Sequence, residues 1–160
     1  MSELVVDLAD EAATAALAQR LAQALLSRDS GAVIALCGPL GAGKTRFVRE
    51  LAATLGVNRS EVASPTFVLV HEYVGARPIF HCDAYRLRSA AELWELGAEE
   101  WYASPALVLI EWADRVREAL PAEYLEVQIE VTGETSRRFI LRAIGLGYAE
   151  TLDALGHASP

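Results

Sequence analysis

Residues 38–45 read GPLGAGKT, a match to G-x-x-x-x-G-K-[ST]. The pattern has a chemical meaning: it builds a phosphate cradle. Gly38, Pro39, Leu40, Gly41, Ala42 and Gly43 form a loop that can curl until its backbone N–H groups face an anion. A helix starting at the end of that loop adds its positive N-terminal end. Lys44 is then placed to reach the β- and γ-phosphates of a nucleotide, and the Thr45 hydroxyl to bind Mg²⁺. A nucleotide-bound Mg²⁺ also needs a carboxylate, commonly at the end of a neighbouring buried strand. Two acids qualify. Asp83 ends PIFHCD and Glu111 ends ALVLIE. Glu111 fits the pattern of an apolar run closed by an acid more closely, which leaves Asp83 to act on the metal directly or through water. Either acid can orient an attacking water.

The segment around Asp83, FHCDAYRL at 80–87, gathers four chemically active side chains. If it is extended throughout, His81, Asp83 and Tyr85 share one face, and Cys82, Ala84 and Arg86 the other. Asp83 can alternatively pair with Arg86 or make a capping contact, Glu111 can be a solvated strand end, and a histidine such as His81 is more often packed than catalytic. Trp112 either borders the nucleotide or fills the core. Thr66, in SPTF at 64–67, stands where nucleotide switches place a γ-phosphate sensor.

The elements that must position these groups follow from patterning. LVVDL is a strand. Asp10 caps a helix to about residue 28, with Leu17, Leu21 and Leu25 on one face. GAVIALCG is a buried strand leading into the loop, and KTRFVRELAATLG is the helix after it, with Phe47, Val48, Leu51 and Leu55 inward and Gly56 at its end. VLVHEYV and PIFHCDAY form a hairpin across GAR. SAAELWELGAEEWY is helical, ALVLIEW is a buried strand, and DRVREAL is a short helix stopped by Pro121. YLEVQIEVTGETSRRFILRAIG is an antiparallel hairpin, and residues 147–160 are a partly helical tail with a frayed end. The whole reads as one α/β domain over 1–160, a P-loop NTPase-like layered fold. Its central mixed sheet carries helices on both faces and an antiparallel C-terminal hairpin.

Composition narrows the function. Hydrophobic residues are 52% and charged residues 22%, which suits a globular chain. A net charge of −8 argues against a protein that grips nucleic acid by itself. Cys37 and Cys82 lie in apolar runs with no CxxC pair, so zinc is not expected and a reducing compartment is. The N-terminus lacks the pattern of a signal peptide, and no run approaches the roughly 18 apolar residues of a membrane span. The expected location is the cytoplasm, with no membrane partner. No N-K-x-D guanine reader and no L-S-G-G-Q stretch is present, which favours ATP over GTP and argues against a transporter ATPase.

GPLGAGKT, SPTF, HCDAYRL, LGAEEW and IEW, in this order and spacing, resemble the TsaE (YjeE) family over about residues 10–138. These are small P-loop ATPases of bacterial tRNA threonylcarbamoyladenosine biosynthesis. The resemblance implies a cytoplasmic Mg-dependent ATPase that works with two protein partners, TsaB and TsaD. Those partners transfer threonylcarbamoyl to adenosine 37 of tRNA, and tRNA meets this chain weakly or only indirectly. Carried over by position, Lys44 and Thr45 hold phosphate and metal, and Thr66 is the switch residue of S-P-T. Asp83 is the acid of H-x-D-x-Y-R, where Ala84 replaces a frequent leucine. Glu111 is the acid of E-W and the direct Mg²⁺ ligand, and Trp112 is its tryptophan. Arg138, from the last hairpin, and Glu11, from the start of the first helix, are further candidates for nucleotide contact.

Two other readings use the same residues. A small-molecule or nucleoside kinase would use Glu111 with Arg115 to activate an acceptor hydroxyl, but no Arg-rich lid segment is evident. A non-catalytic nucleotide sensor would need fewer acids than Asp83 and Glu111 provide. For hydrolysis, a charge-stabilising arginine would come from Arg86, Arg115 or a partner.

Overall fold

The computed structural model describes residues 2–63 and 68–157. Its strands are β1 (Glu3–Leu8), β2 (Ala32–Cys37), β3 (Val70–Val74), β4 (Pro78–Asp83), β5 (Leu107–Glu111), β6 (Tyr124–Val131) and β7 (Arg137–Ile144). They make one seven-stranded mixed sheet in the order β1-β7-β6-β2-β5-β4-β3. The helices are α1 (Glu11–Leu26), α2 (Lys44–Thr54), α3 (Ala90–Glu95), α4 (Ala98–Ala103) and α5 (Ala149–Gly156).

The centre of the sheet is parallel: β2 lies between β5 and β6, and β5 pairs with β4. Every residue of β2 and of β5 is buried. This is why both read as unbroken apolar runs, since a central parallel strand is covered on both faces. The outer pairs, β6–β7, β1–β7 and β3–β4, are antiparallel hairpins and returns.

Strand alternation distributes the core to two sides. Ile34 and Leu36 of β2, with Leu107 and Leu109 of β5, face a cluster that includes Leu17, Leu21 and Leu25 of α1 and Phe47, Val48 and Leu51 of α2. The Phe47 ring meets Phe139 of β7 at 5.1 Å. Val33, Ala35 and Cys37, with Val108 and Ile110, face Leu93, Trp101 and Val116 on the other side. By the same period Glu111 falls on the α2 face, as do Ile79, His81 and Asp83 of β4. Asp10 caps α1 by accepting from Ala13 N–H at 2.8 Å.

Three stretches differ in detail from the sequence pattern. The helical region after residue 89 is two helices, because Gly97 takes φ = 108° and ends α3 before α4 begins. DRVREAL forms most of a 3₁₀ segment, Ala113–Ala119, kinked at Val116, with Leu120 extended just past its end. The extended reading of FHCDAYRL holds only to Asp83. Its Oδ1 accepts from Tyr85 N–H at 2.9 Å and starts a 3₁₀ turn at Ala84–Arg86, so Tyr85 leaves the face of His81. Such side-chain capture of a nearby amide is how aspartate competes with a strand. The end of the tail, where fraying is expected, lies outside the described residues past 157.

Among the described residues no helix is long and apolar enough to cross a membrane. Cys37 and Cys82 are buried and free. Burial, chiefly, pushes the Cys37 thiol up to about 11 and the Cys82 thiol up to about 12. Thiolate is the reactive form. A neutral-pH disulfide reagent is therefore expected to leave both thiols unmodified in the native chain and to titrate both in denaturant. Rapid native labelling would contradict this packing.

Candidate functional site

The loop joining β2 to α2 turns on glycines. Gly38 has φ = 154°, and a Cβ there would stand 2.8 Å from the Ile129 carbonyl. Gly43, the residue before α2, has φ = 104°, a left-handed conformation that costs a side-chain-bearing residue energy. Lys44 is only 5% exposed. Its ammonium donates to the carbonyls of Gly38 at 2.7 Å and Pro39 at 3.0 Å, and sits 3.9 Å from the centre of the Trp112 ring. Burial lowers its pKa, against the pull of the Glu111 and Asp83 carboxylates.

Thr45, the next residue, donates its hydroxyl to both Glu111 oxygens, at 2.8 and 3.0 Å. Glu111 is 2% exposed and closes β5. His81 Nε2 lies 2.5 Å from Glu111 Oε2, and Tyr73 Oη lies 3.0 Å from His81 Nδ1. Asp83 is the residue directly across from Glu111 in the β4–β5 register. Asp83 and Glu111 thus stand side by side at the strand ends, facing the start of α2. Trp112 follows with φ = 58°, a left-handed conformation and the sole positive φ among described residues other than glycine. Such strain in a bulky residue clusters at working sites. Here it leaves the indole beneath the Lys44 ammonium and 4.9 Å from the half-exposed Tyr85 ring. Arg115 approaches the same tyrosine at 5.5 Å.

A cleft of about 380 Å³ runs between Leu40, Lys44, Thr45, Asp83, Glu111 and Trp112. A smaller one, about 170 Å³, lies against Gly41–Gly43 and is bounded by Glu11, Thr14, Arg46, Thr135 and Arg137. Glu11 is ion-paired with Arg46 there. Another cleft, about 400 Å³, is lined by Arg28, Trp101, Glu123 and Tyr148 and includes none of these residues.

Most of the residues singled out in the sequence therefore meet at one end of the sheet. Arg138 does not: it pairs with Asp7 on β1 at 2.8 Å. The arginine on the phosphate loop is its neighbour Arg137, which donates to the Ala42 carbonyl at 2.9 Å. Thr66 lies outside the described residues. Sequence reasoning passed over Tyr73, Thr14, Thr135 and Arg137. For Arg137 the available signal was its adjacency to Arg138, and for Tyr73 its alternation with Val70 and Val74 in β3, neither of which names a target.

This geometry meets a family pattern that spans most of the molecule. The family model for threonylcarbamoyl adenosine biosynthesis protein TsaE matches residues 8–139. The chain belongs to the TsaE family. It is 40% identical over 119 residues to the tRNA threonylcarbamoyladenosine biosynthesis protein TsaE of Bacillus subtilis, covering 74% of this chain and 73% of that one. The TsaE of Treponema pallidum is 38% identical over 109 residues, or 68% of this chain and 80% of its own. That of Haemophilus influenzae is 29% identical over 150 residues, 92% and 94% of the two chains. The crystal structure of Bacillus subtilis YdiB superposes with a TM-score of 0.79 at 31% identity, covering 98% of this chain and 96% of that chain. The TsaE match contains both cleft-lining acids, the phosphate loop and Trp112.

Proposed function

We propose that the chain is a Mg²⁺-dependent ATPase whose nucleotide cycle acts on a TsaB–TsaD assembly during threonylcarbamoyl modification of adenosine 37 in tRNA. The observation that carries the reading is the Thr45–Glu111 contact at 2.8 Å, at the foot of the glycine loop and beside Lys44. A hydroxyl and a carboxylate, with Asp83 adjacent, are all-oxygen donors. They suit Mg²⁺, which takes few protein ligands and completes its shell with phosphate and water. Thr45 and Glu111 would hold the ion, with Asp83 joining directly or through water. When bound, the ion would neutralise charge on the phosphates.

The chain's own groups do the rest. The loop amides and the N-terminus of α2 bind phosphate oxygens. Lys44 exchanges its loop carbonyls for the β- and γ-phosphates. Arg137 braces the loop from β7. Trp112 packs beside the phosphates, and Glu11 and Arg46 border the smaller cleft, where the remainder of the nucleotide fits. Glu111 or Asp83 orients the water. Thr66 keeps the γ-phosphate-sensing role as part of this proposal, while the placement of Arg138 on Asp7 favours Arg137 for nucleotide contact. The net charge of −8 suits a protein that reaches tRNA through its partners, in the cytoplasm.

The test is phosphate release from Mg-ATP, by the chain alone and with TsaB and TsaD added. Slow release alone that rises when both partners are present is expected. Release that ignores the partners would break the link to that assembly. Phosphate transfer to a hydroxyl compound in place of water would move the reading to a kinase.

A further inference from the structure

Tyr73 and His81 are buried polar residues in an apolar neighbourhood of Ile79, Leu107 and Leu109, and the phosphate site as described does not use them. Their hydrogen bonds have a direction that can be worked out. A carboxylate only accepts, so the Glu111 contact calls for a proton on His81 Nε2. In a neutral imidazole that leaves Nδ1 to accept from the Tyr73 hydroxyl, 3.0 Å away. Burial pushes the Tyr73 phenol up to about 12, which keeps its proton in place at neutral pH. His81 Nε2–H then donates to Glu111 Oε2 at 2.5 Å. Thr45 donates to Glu111 from the other side. Every donor in the series points toward the same carboxylate, and no buried side-chain polar atom among the described residues lacks a partner.

We propose that Tyr73 and His81 are positioning residues, a one-way hydrogen-bond relay that fixes the Glu111 carboxylate for metal binding with Thr45. This rests on the reading of Glu111 as a Mg²⁺ ligand. A carboxylate on a long side chain has rotamers to lose when it binds an ion. Donors that hold it beforehand remove that cost, which is the physical use of groups lying behind a metal's direct ligands. The relay also links β3, β4 and β5 in one line of donors that ends on Glu111.

The experiment measures ATP affinity by calorimetry on the full chain, in excess EDTA and across a Mg²⁺ series. The proteins are the parent, His81→Leu, His81→Gln and Tyr73→Phe, each with a thermal melt. In His81→Leu the Mg²⁺ concentration for half of the metal-dependent gain in affinity should rise about 10-fold or more, the usual scale for groups behind a metal ligand. Metal-free affinity should stay near the parent value. His81→Gln, which keeps an N–H for Glu111 and an oxygen for Tyr73, should recover most of the loss. Tyr73→Phe should lie between the parent and His81→Leu. If His81→Leu does not fold, Tyr73→Phe decides by the same split, since it removes one hydroxyl. A Mg²⁺ midpoint unchanged in a folded variant overturns the relay, as does an equal fall with and without metal, or a Gln variant no better than Leu. A parent chain whose ATP affinity ignores Mg²⁺ would overturn both the relay and the metal reading on which it rests.

Discussion

Glu111→Gln is expected to bind ATP at saturating Mg²⁺ within a few-fold of the parent chain while phosphate release falls by roughly 10²–10⁴-fold, the range for losing a positioned general base. Glu111 receives donors from two sides, His81 Nε2 and Thr45 Oγ1. A glutamine has one oxygen with which to answer both. If that oxygen keeps the His81 bond, the amide nitrogen faces the Thr45 oxygen, and the pair no longer presents a carboxylate to an ion or a water. The phosphate cradle itself is unaffected, because Gly38, Gly41, Gly43 and Lys44 make no bond to Glu111. Binding and turnover should therefore separate. The measurement is single-turnover phosphate release beside equilibrium ATP binding under the same conditions. Turnover at the parent rate would remove Glu111 from the chemistry and leave Asp83, its cross-strand neighbour, as the acid to examine.

The parts of this site carried by local chemistry were legible in the sequence. The loop is a contiguous motif. Glu111 was legible because β5 is short and wholly apolar before it, so the acid had to mark the strand's end. Period-2 counting from Leu107 and Leu109 then puts it on the same face as α2. The parts set by register between distant strands were not legible. Whether Arg137 or Arg138 meets the loop depends on where the β6–β7 hairpin turns, and a slip of one residue exchanges the two faces. The observed register sets Arg137 opposite Val131 and Leu8, and Arg138 opposite Glu130 and Asp7. Asp7 is then in reach of Arg138, while Arg137 is left to the loop carbonyls.

Local conflicts explain the remaining differences. Alternation past Asp83 fails because its carboxylate captures the Tyr85 amide. The αL backbone of Trp112 has no sequence signature, since nothing in tryptophan favours φ = 58°. It follows from the need to turn the chain sharply after a buried strand while keeping a ring against Lys44. The Tyr73–His81–Glu111 series was hidden for a third reason. Its members come from three strands, and no local pattern names their pairing.

Lys44→Ala is expected to weaken ATP binding by roughly 10–100-fold, the loss of charge-assisted hydrogen bonds of about 1.5–3 kcal/mol. The effect should depend on phosphate number. Lys44 is assigned to the β- and γ-phosphates, so affinity should fall most for ATP, less for ADP, and stay near the parent value for AMP. That gradient separates a phosphate-binding lysine from a structural one. Lys44 also has structural contacts, at Gly38 O, Pro39 O and the Trp112 ring. Removing it leaves two loop carbonyls without their donor, so a loosened loop is the competing explanation for any lost affinity. Loosening alone would lower affinity for all three nucleotides, because the loop amides contact phosphate in each. Trp112 supplies an internal readout: its ring lies against the Lys44 ammonium, and ATP that draws the ammonium away should change indole emission in the parent and not in Lys44→Ala. The chain's other tryptophans, Trp94 and Trp101, are absent from the cleft lining and form a constant background. An unchanged affinity series in Lys44→Ala would dissolve the phosphate assignment of the whole 38–45 loop, and a uniform fall would reduce Lys44 to a brace for it.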